Sequence, residues 1–431
     1  MRALAVVLLA AACGSKPAPA PEHAEPPKTD DAESAELKPT ADAIVHVYEA
    51  LTVKTVAPGP AGPIREAAVA ALGWTAPIPW TTDPSKDRDL IRGTVRALAN
   101  SHRLPKDAVL RAARAMGVWS GDLQTYGVDP SGFASLFGLI GGQAVVQAGI
   151  VFHKDGARWA VADVLQNGAA QRAGVMRGDI LLTIDGAPIA HGWKDFQYLL
   201  GAPNGTRANL VIEHVGQQKT VQLNLAPVNS PIVDAKILGK GAGYIRVWTC
   251  THSDNAKLDA AALVQKALAD FDRKGVKKLV IDLRGNAGGF PFDLASLFTE
   301  DDLLMYARPI SGDDEPIART KIAVEKVKRP IAVLVDEATA SGAEMVALAL
   351  KEHAGAIIVG QPTAGGLTFP TTEKLVGNVT LSYPTTRVGT FKDKTVLEGN
   401  RLEPDVVAPN QTLDDYQQKR DPQLDAALAK L

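Results

Sequence analysis

Along the first part of the chain, apolar residues recur three and four positions apart. "DAIVHVYEAL", "PIREAAVAALGW", "DRDLIRGTVRALANSH" and "PKDAVLRAARAMGVW" each gather them on one side of a helix. Pro63 and Pro105 stand where helix-starting prolines belong. The spacing predicts a mainly helical segment over residues 41–130. From residue 131 to 228 the pattern becomes short β-rich runs cut by glycine turns, with one short helix at "AAQRAGV". Asp185-Gly186 between apolar runs predicts a hairpin there. Over residues 229–431 the strands turn continuously apolar. "GYIRVW", "KKLVIDL", "PIAVLVD" and "AIIVG" alternate with the helical "NAKLDAAALVQKALADFDRKG" and "GAEMVALALKEH". Buried strands separated by helices predict an α/β sheet with parallel pairings. Such sheets carry their sites beyond the carboxyl ends of the strands, where "RGNAGG" and "EATASGAE" both stand.

Length and charge narrow the function. A chain of 431 residues is long enough for several buried cores. Its 46 basic and 48 acidic side chains give no net field to draw nucleic acid or an anionic membrane, so the activity must reside in a local site and no nucleic-acid partner is expected. The first residues, "MRALAVVLLAAACGS", pair a charge at Arg2 with a short apolar run and small residues ahead of Cys13, as secretory signals do. The stretch resembles a bacterial lipoprotein signal, except that Ala10 stands where leucine is usual. The resemblance implies removal of residues 1–12 and acylation of Cys13, which would leave Cys250 without an internal disulfide partner. Residues 13–40 are rich in Pro, Ala and Glu and too poor in aliphatic side chains to bury a core. They read as a tether spanning roughly 30 Å as a flexible coil. The localisation expected is the cell envelope, lipid-anchored on the periplasmic face, with the outer membrane favoured over the inner.

The candidate chemistry centres on one serine. Ser341 followed by Glu344 fits an S-x-x-E capping box at a helix start; it also fits a nucleophile at a strand-to-helix junction. The glycine-rich turn "LRGNAGGF" lacks the Lys-Ser/Thr pair of a phosphate-binding P-loop and the Rossmann spacing. Its glycines would instead let backbone amides point into a site, so that an amide of the turn and that of Gly342 converge on an oxyanion beside Ser341. The eight histidines are scattered and none forms H-E-x-x-H, so no metal site and no cofactor is expected.

Two resemblances turn this pattern into a specific expectation. The order of strand, "NGAAQRAGV", "RGD", strand and "IDG" resembles a PDZ domain of bacterial proteases. That likeness implies capture of peptide C-termini by strand addition, at Ala148, Gly149 and Ile150 in this sequence. "VIDLRGNAGG", "TASGAEMVA", "IIVGQPTAGG" and "LEGNRLEPDVV" occur in the order and spacing of the carboxyl-terminal processing (tail-specific) serine peptidases. The implied fold is a tail-specific-protease, crotonase-like ββα core of the α/β class, preceded by a PDZ domain and a helical segment. By the same likeness Ser341 occupies the nucleophile position, and Gly288 and Gly342 those of the oxyanion amides. Polypeptides with free C-termini are the implied substrates.

The base is where the sequence departs from the family. The usual lysine, about 25 residues past the serine, is replaced by Gly366. A tricorn-like branch takes a histidine from the preceding helical segment, but "WSGDLQTYGVDP" offers Gln124 in its place. His353 lies 12 residues along the helix from Ser341, roughly 18 Å away at 1.5 Å per residue and out of reach. His252, at the end of a core strand, is the remaining histidine candidate, and Glu398 matches the region of that branch's catalytic acid. Serine peptidase activity is the expected function, and a PDZ-based scaffold that has lost catalysis is the alternative. The lipoprotein expectation has a direct test: intact mass of the membrane-extracted chain should give a mature N-terminus at Cys13 carrying acyl mass. A mature chain that starts elsewhere without lipid refutes it.

Overall fold

The computed structural model describes residues 37–320 and 329–431, apart from residues 121 and 123. Cys13 and the expected signal lie outside these residues. The first helix, Leu37–Thr52, begins inside the stretch expected as tether, because Ala41, Ile44, Val45, Tyr48 and Leu51 already form a buried stripe there. The chain divides into two compact units.

One unit comprises the described residues up to Phe133 together with Asp185–Ala187 and Pro370–Thr385. Its helices Leu37–Thr52, Ala61–Ala71, Pro84–Asn100 and Ala108–Val118 pack around Ile44, Tyr48, Ile64, Ile91, Leu98 and Met116. Val379, Leu381 and Tyr383 of a long strand belong to the same core. The helix starts differ from the proline reading. Pro63 is the third residue of its helix, behind Pro60 at the N-cap position, and Pro105 precedes an Asp107 cap position. Pro84, not singled out, is the proline that opens a helix, with Asp83 accepting from the Ser85 N–H.

The other unit holds a small β domain and the α/β core. In the β domain, strands Ile150–Asp155, Arg158–Val164, Ile180–Ile184, Arg207–His214 and Gln217–Asn224 run antiparallel in that spatial order. Ile150–Asp155 is therefore an edge strand. Asp185 and Gly186 both have positive φ, 48° and 83°, the backbone of a tight type I′ turn.

The core sheet is ordered Val233–Ile237, Ala242–Val247, Lys278–Asp282, Ile331–Val335, Ile357–Gly360, Val406–Val407. Only the first pairing is antiparallel. Alternate residues leave the sheet on opposite faces. Ile245, Ile281, Val333 and Ile358 pack against helices Ala260–Arg273 and Gly342–Ala354. Tyr244, Val280, Leu334 and Val359 share a second cluster with Leu424 and Ala427 of the helix Pro422–Lys430. Helices on both faces are why these strands are apolar throughout. A second sheet, with Leu303–Pro309, Glu315–Ala318 and Thr386–Gly389 of the long strand, was not anticipated.

A buried ion cluster closes one end of the core. Arg284 donates to both oxygens of Asp282 (2.9 and 2.6 Å) and both oxygens of Asp421 (2.9 and 2.8 Å). Tyr244 Oη donates to Asp282 at 2.6 Å. Asp421 is also the N-cap of Pro422–Lys430, so one guanidinium fastens that helix to the strand end. Burial alone would raise the Asp282 carboxyl, but Arg284 outweighs it and the group falls to about 2. The folded value lies below the ordinary Asp value of about 3.9, so this stabilisation is complete above that value and is lost as pH falls towards 2. Asp282→Ala would leave Arg284 buried with only Asp421 and Gln423 as side-chain partners. The expected cost is about 3–5 kcal/mol in denaturant unfolding at pH 7, and a loss below 1 kcal/mol would show that the cluster contributes little.

Candidate active site

Two loops meet beyond the carboxyl ends of neighbouring parallel strands. One follows Lys278–Asp282 and carries "RGNAGG"; the other follows Ile331–Val335 and carries "EATASG". Asp336 joins them, accepting from the Gly285 N–H (3.0 Å) and the Thr339 hydroxyl (3.0 Å). Its complete burial pushes the carboxyl up to about 6. The single Thr339 hydroxyl hydrogen is shared with the Leu283 carbonyl, 2.9 Å from Oγ1, and the Ala340 N–H donates to the Asn286 carbonyl (2.9 Å). Asn286 is fully buried and donates to the Val247 carbonyl at 2.9 Å. The sequence-level glycine pattern thus becomes a rigid double loop.

Ser341 sits on this double loop just before helix Gly342–Ala354, with φ 51° and ψ −120°. A helix cap ordinarily has extended backbone. A non-glycine residue in this region carries on the order of 1–3 kcal/mol of strain, which clusters at functional positions. Ser341 is half-buried while Gly342 to Leu350 are buried, so the serine is the accessible point of the junction. The expected capping box is present: the Ser341 N–H donates to Glu344 Oε2 at 2.8 Å, and the Ser341 side chain faces the Glu344 N–H.

One of the two expected oxyanion amides is engaged within its own turn. The Gly288 N–H donates to Asn286 Oδ1 at 2.8 Å, so the sequence-predicted donor is already committed inside the turn. Gly289, next along, has φ 123° and packs on Gly342: a Cβ on Gly342 would lie 2.5 Å from the Gly289 oxygen and 3.1 Å from its nitrogen. Gly288 is nevertheless the glycine of this turn that lies against Ser341: a Cβ on it would meet the Ser341 Cβ and the Gly342 nitrogen, each at 2.8 Å.

A third loop, residues 363–366, packs against Ser341 and Glu344. Thr363 Oγ1 (2.5 Å) and the Gly365 N–H (3.0 Å) donate to Glu344 Oε1, and the Gly366 N–H donates to Oε2 at 2.6 Å. Burial raises this carboxyl to about 7 against those hydrogen bonds. Gly366 makes the approach possible. A Cβ there would fall 2.8 Å from Glu344 Oε2 and 2.8 Å from the Ser341 nitrogen. Thr363 accepts from the Leu402 N–H, and the Leu367 N–H donates to the Asn400 carbonyl, so the loop is also tied to the segment after Glu398. Glu398 opens the short turn Glu398–Asn400; its side chain lies outside the described residues.

The His252 Nδ1 lies 2.9 Å from Asp293 and 3.6 Å from Asp259, and its side chain is 56% exposed. The neighbouring Cys250 N–H donates to the Gly288 carbonyl and the Phe290 N–H returns to the Cys250 carbonyl, which joins this strand end to the glycine-rich turn. His353 is occupied elsewhere, with Asp301 (2.7 Å) and the Leu304 carbonyl (2.9 Å). In the β domain, Gly149 has φ 76° and Ala148 is buried, its carbonyl accepting from the Ala170 N–H. Ile150 opens the edge strand. That edge is partly taken, since Asn410 donates to the Lys154 carbonyl at 2.9 Å and Val151 lies over Gly285 of the catalytic turn.

A strained, accessible serine at a helix start, backed by a glycine turn on an α/β sheet, defines a serine-hydrolase type of site. Comparison with known proteins narrows the class: residues 241–408 match Peptidase family S41 and residues 161–214 match a PDZ domain. The core thus carries the Peptidase family S41 match, and the chain is similar to carboxyl-terminal processing peptidases. It is 29% identical over 212 residues to the carboxyl-terminal-processing protease of Synechocystis, covering 47% of this chain and 48% of that protein. It is 27% identical over 217 residues to carboxyl-terminal-processing peptidase 2, chloroplastic, of Arabidopsis thaliana, covering 48% and 41%. The alignments thus span about half the length of these curated relatives or less. In fold, the photosystem II D1 C-terminal processing protease superposes with TM-score 0.56 at 21% identity, over 85% of this chain and 92% of that one. Mature CPAF complexed with lactacystin superposes with TM-score 0.54 at 16% identity, over 89% and 96%.

The packing at Gly366 yields a prediction about the missing lysine. A lysine cannot simply be restored, because its Cβ would displace Glu344 or Ser341. Gly366→Lys should therefore not raise turnover of an unstructured substrate, and Gly366→Ala should already cost about 1–3 kcal/mol of stability by overpacking. A Gly366→Lys protein as stable as the parent and faster than it would overturn this account.

Proposed function

We propose that the protein is a serine peptidase that hydrolyses peptide bonds of unfolded or C-terminally exposed polypeptides, exported and held to the envelope by a lipid on Cys13. The observation that carries the catalytic part is the Ser341 backbone, at φ 51° and ψ −120°, a conformation that capping alone does not require. Attack of the Ser341 Oγ on a peptide carbonyl carbon forms a tetrahedral oxyanion, for which the Gly342 amide and an amide of the glycine-rich turn around Gly288 would be the donors. The C–N bond then breaks, the amine leaves with a proton, and water hydrolyses the acyl-serine. The PDZ domain supplies recognition, with Ala148, Gly149 and Ile150 at the carboxylate end and the edge strand as the surface for strand addition.

A second reading has its own support. A serine hydroxyl is a weak nucleophile without a base, and Gly366 holds the lysine position. These favour a catalytically impaired chain that acts as a PDZ-based peptide-binding scaffold. Ser341→Ala separates the two. On the peptidase reading it abolishes turnover of an unstructured substrate and labelling by a fluorophosphonate probe, with near-native stability. On the scaffold reading the parent resists the probe and cleaves nothing across a panel of unfolded substrates, and the substitution shifts only stability, by about 1 kcal/mol.

A further inference from the structure

The Glu344 carboxyl is fully buried, directly behind the nucleophile, and has four donors aimed at it: the N–H groups of Ser341, Gly365 and Gly366 and the Thr363 hydroxyl. Four donors and no acceptor are a site for an anion. A carboxylic acid would bring a fifth hydrogen into the cluster, so at least one of the four donors would lose its acceptor. The two donors on Oε2, Ser341 and Gly366, come from the nucleophile and from the position that carries lysine in the resembled peptidases. The two on Oε1 come from a loop that is bonded onward to Leu402 and Asn400. One side chain therefore links the nucleophile, the vacated lysine position and the segment that follows Glu398.

We propose that the ionised Glu344 carboxylate is a positioning residue that holds Ser341 in its strained, reactive backbone geometry, so that acylation of Ser341 is switched on by deprotonation of a group that is not the general base. The inference rests on the reading of Ser341 as the nucleophile. Desolvation without a compensating cation places the Glu344 transition at about 7, within reach of ordinary assays. The groups acting on it are the four donors, and among the described residues no charged side chain is one of them. The other titratable groups on this side of the sheet are engaged elsewhere. Asp336 bonds the Gly285 turn and Thr339, and His252 faces Asp293 and Asp259. The sign follows: below about pH 7 the protonated group releases a donor and acylation slows, and above it the carboxylate restores the nest.

The test is the second-order rate of Ser341 labelling by a fluorophosphonate probe, measured on the full chain from pH 5 to 9. The parent should show a rate that rises through about pH 7. Glu344→Gln, which keeps shape but cannot ionise, should be about 10- to 100-fold slower at pH 8 and flat with pH. Thr363→Val, which removes one donor to the anion, should move the rising limb to higher pH rather than abolish it. His252→Ala should leave the limb in place. Thermal melts of each variant identify any that fail to fold, and Thr363→Val decides the matter if Glu344→Gln is one of them. A limb that survives in Glu344→Gln, stays unmoved in Thr363→Val, or vanishes in His252→Ala overturns the inference while leaving the nucleophile standing. Absence of Ser341 labelling in the parent at every pH overturns the nucleophile reading, and the inference with it.

Discussion

The close approach of three main-chain loops around Ser341 is the constraint on which the site depends. A Cβ at Gly288 would meet the Gly342 nitrogen at 2.8 Å, one at Gly342 the Gly289 oxygen at 2.5 Å, and one at Gly366 the Ser341 nitrogen at 2.8 Å. Real side chains do not tolerate such distances, so glycine here is a packing requirement as much as a conformational one. The approach is held by polar groups that are themselves buried: Asp336 and Asn286 between the first two loops, Glu344 between the second and third. The apolar sheet beneath supplies the rigid ends from which the loops depart. Strain at Ser341 persists because its surroundings fix the backbone on every side.

The sequence made the layout legible where a pattern is repetitive. Apolar runs such as "PIAVLVD" had to be buried on both faces, and they are central parallel strands between helices. Asp185-Gly186 announced its turn because few residue pairs accept two positive φ values. Legibility failed where the deciding contact is long-range. The second sheet depends on pairing Tyr306–Pro309 with Thr386–Gly389, some eighty positions apart, and nothing local marks that partnership. The engagement of the Gly288 N–H likewise depends on the Asn286 side chain, whose direction no glycine spacing encodes. Glu344 was readable as a cap, but its contacts with Thr363, Gly365 and Gly366 were not.

Three buried carboxylates at the ends of the parallel strands show what sets the electrostatics of this site. Asp282 meets a guanidinium and falls to about 2, although burial opposes it. Asp336, given amides and a hydroxyl, stays near 6. Glu344, with four donors, stays near 7. Hydrogen bonds from neutral groups soften desolvation but do not cancel it; a full opposite charge does. The lysine that the resembled peptidases carry at the Gly366 position would bring such a charge beside Glu344. With glycine at that position, the Glu344 carboxyl lies against the Ser341 backbone without such a charge beside it. Any catalysis retained by this chain must operate with that uncompensated carboxyl, whose charge state is coupled to the Ser341 backbone through a single 2.8 Å hydrogen bond.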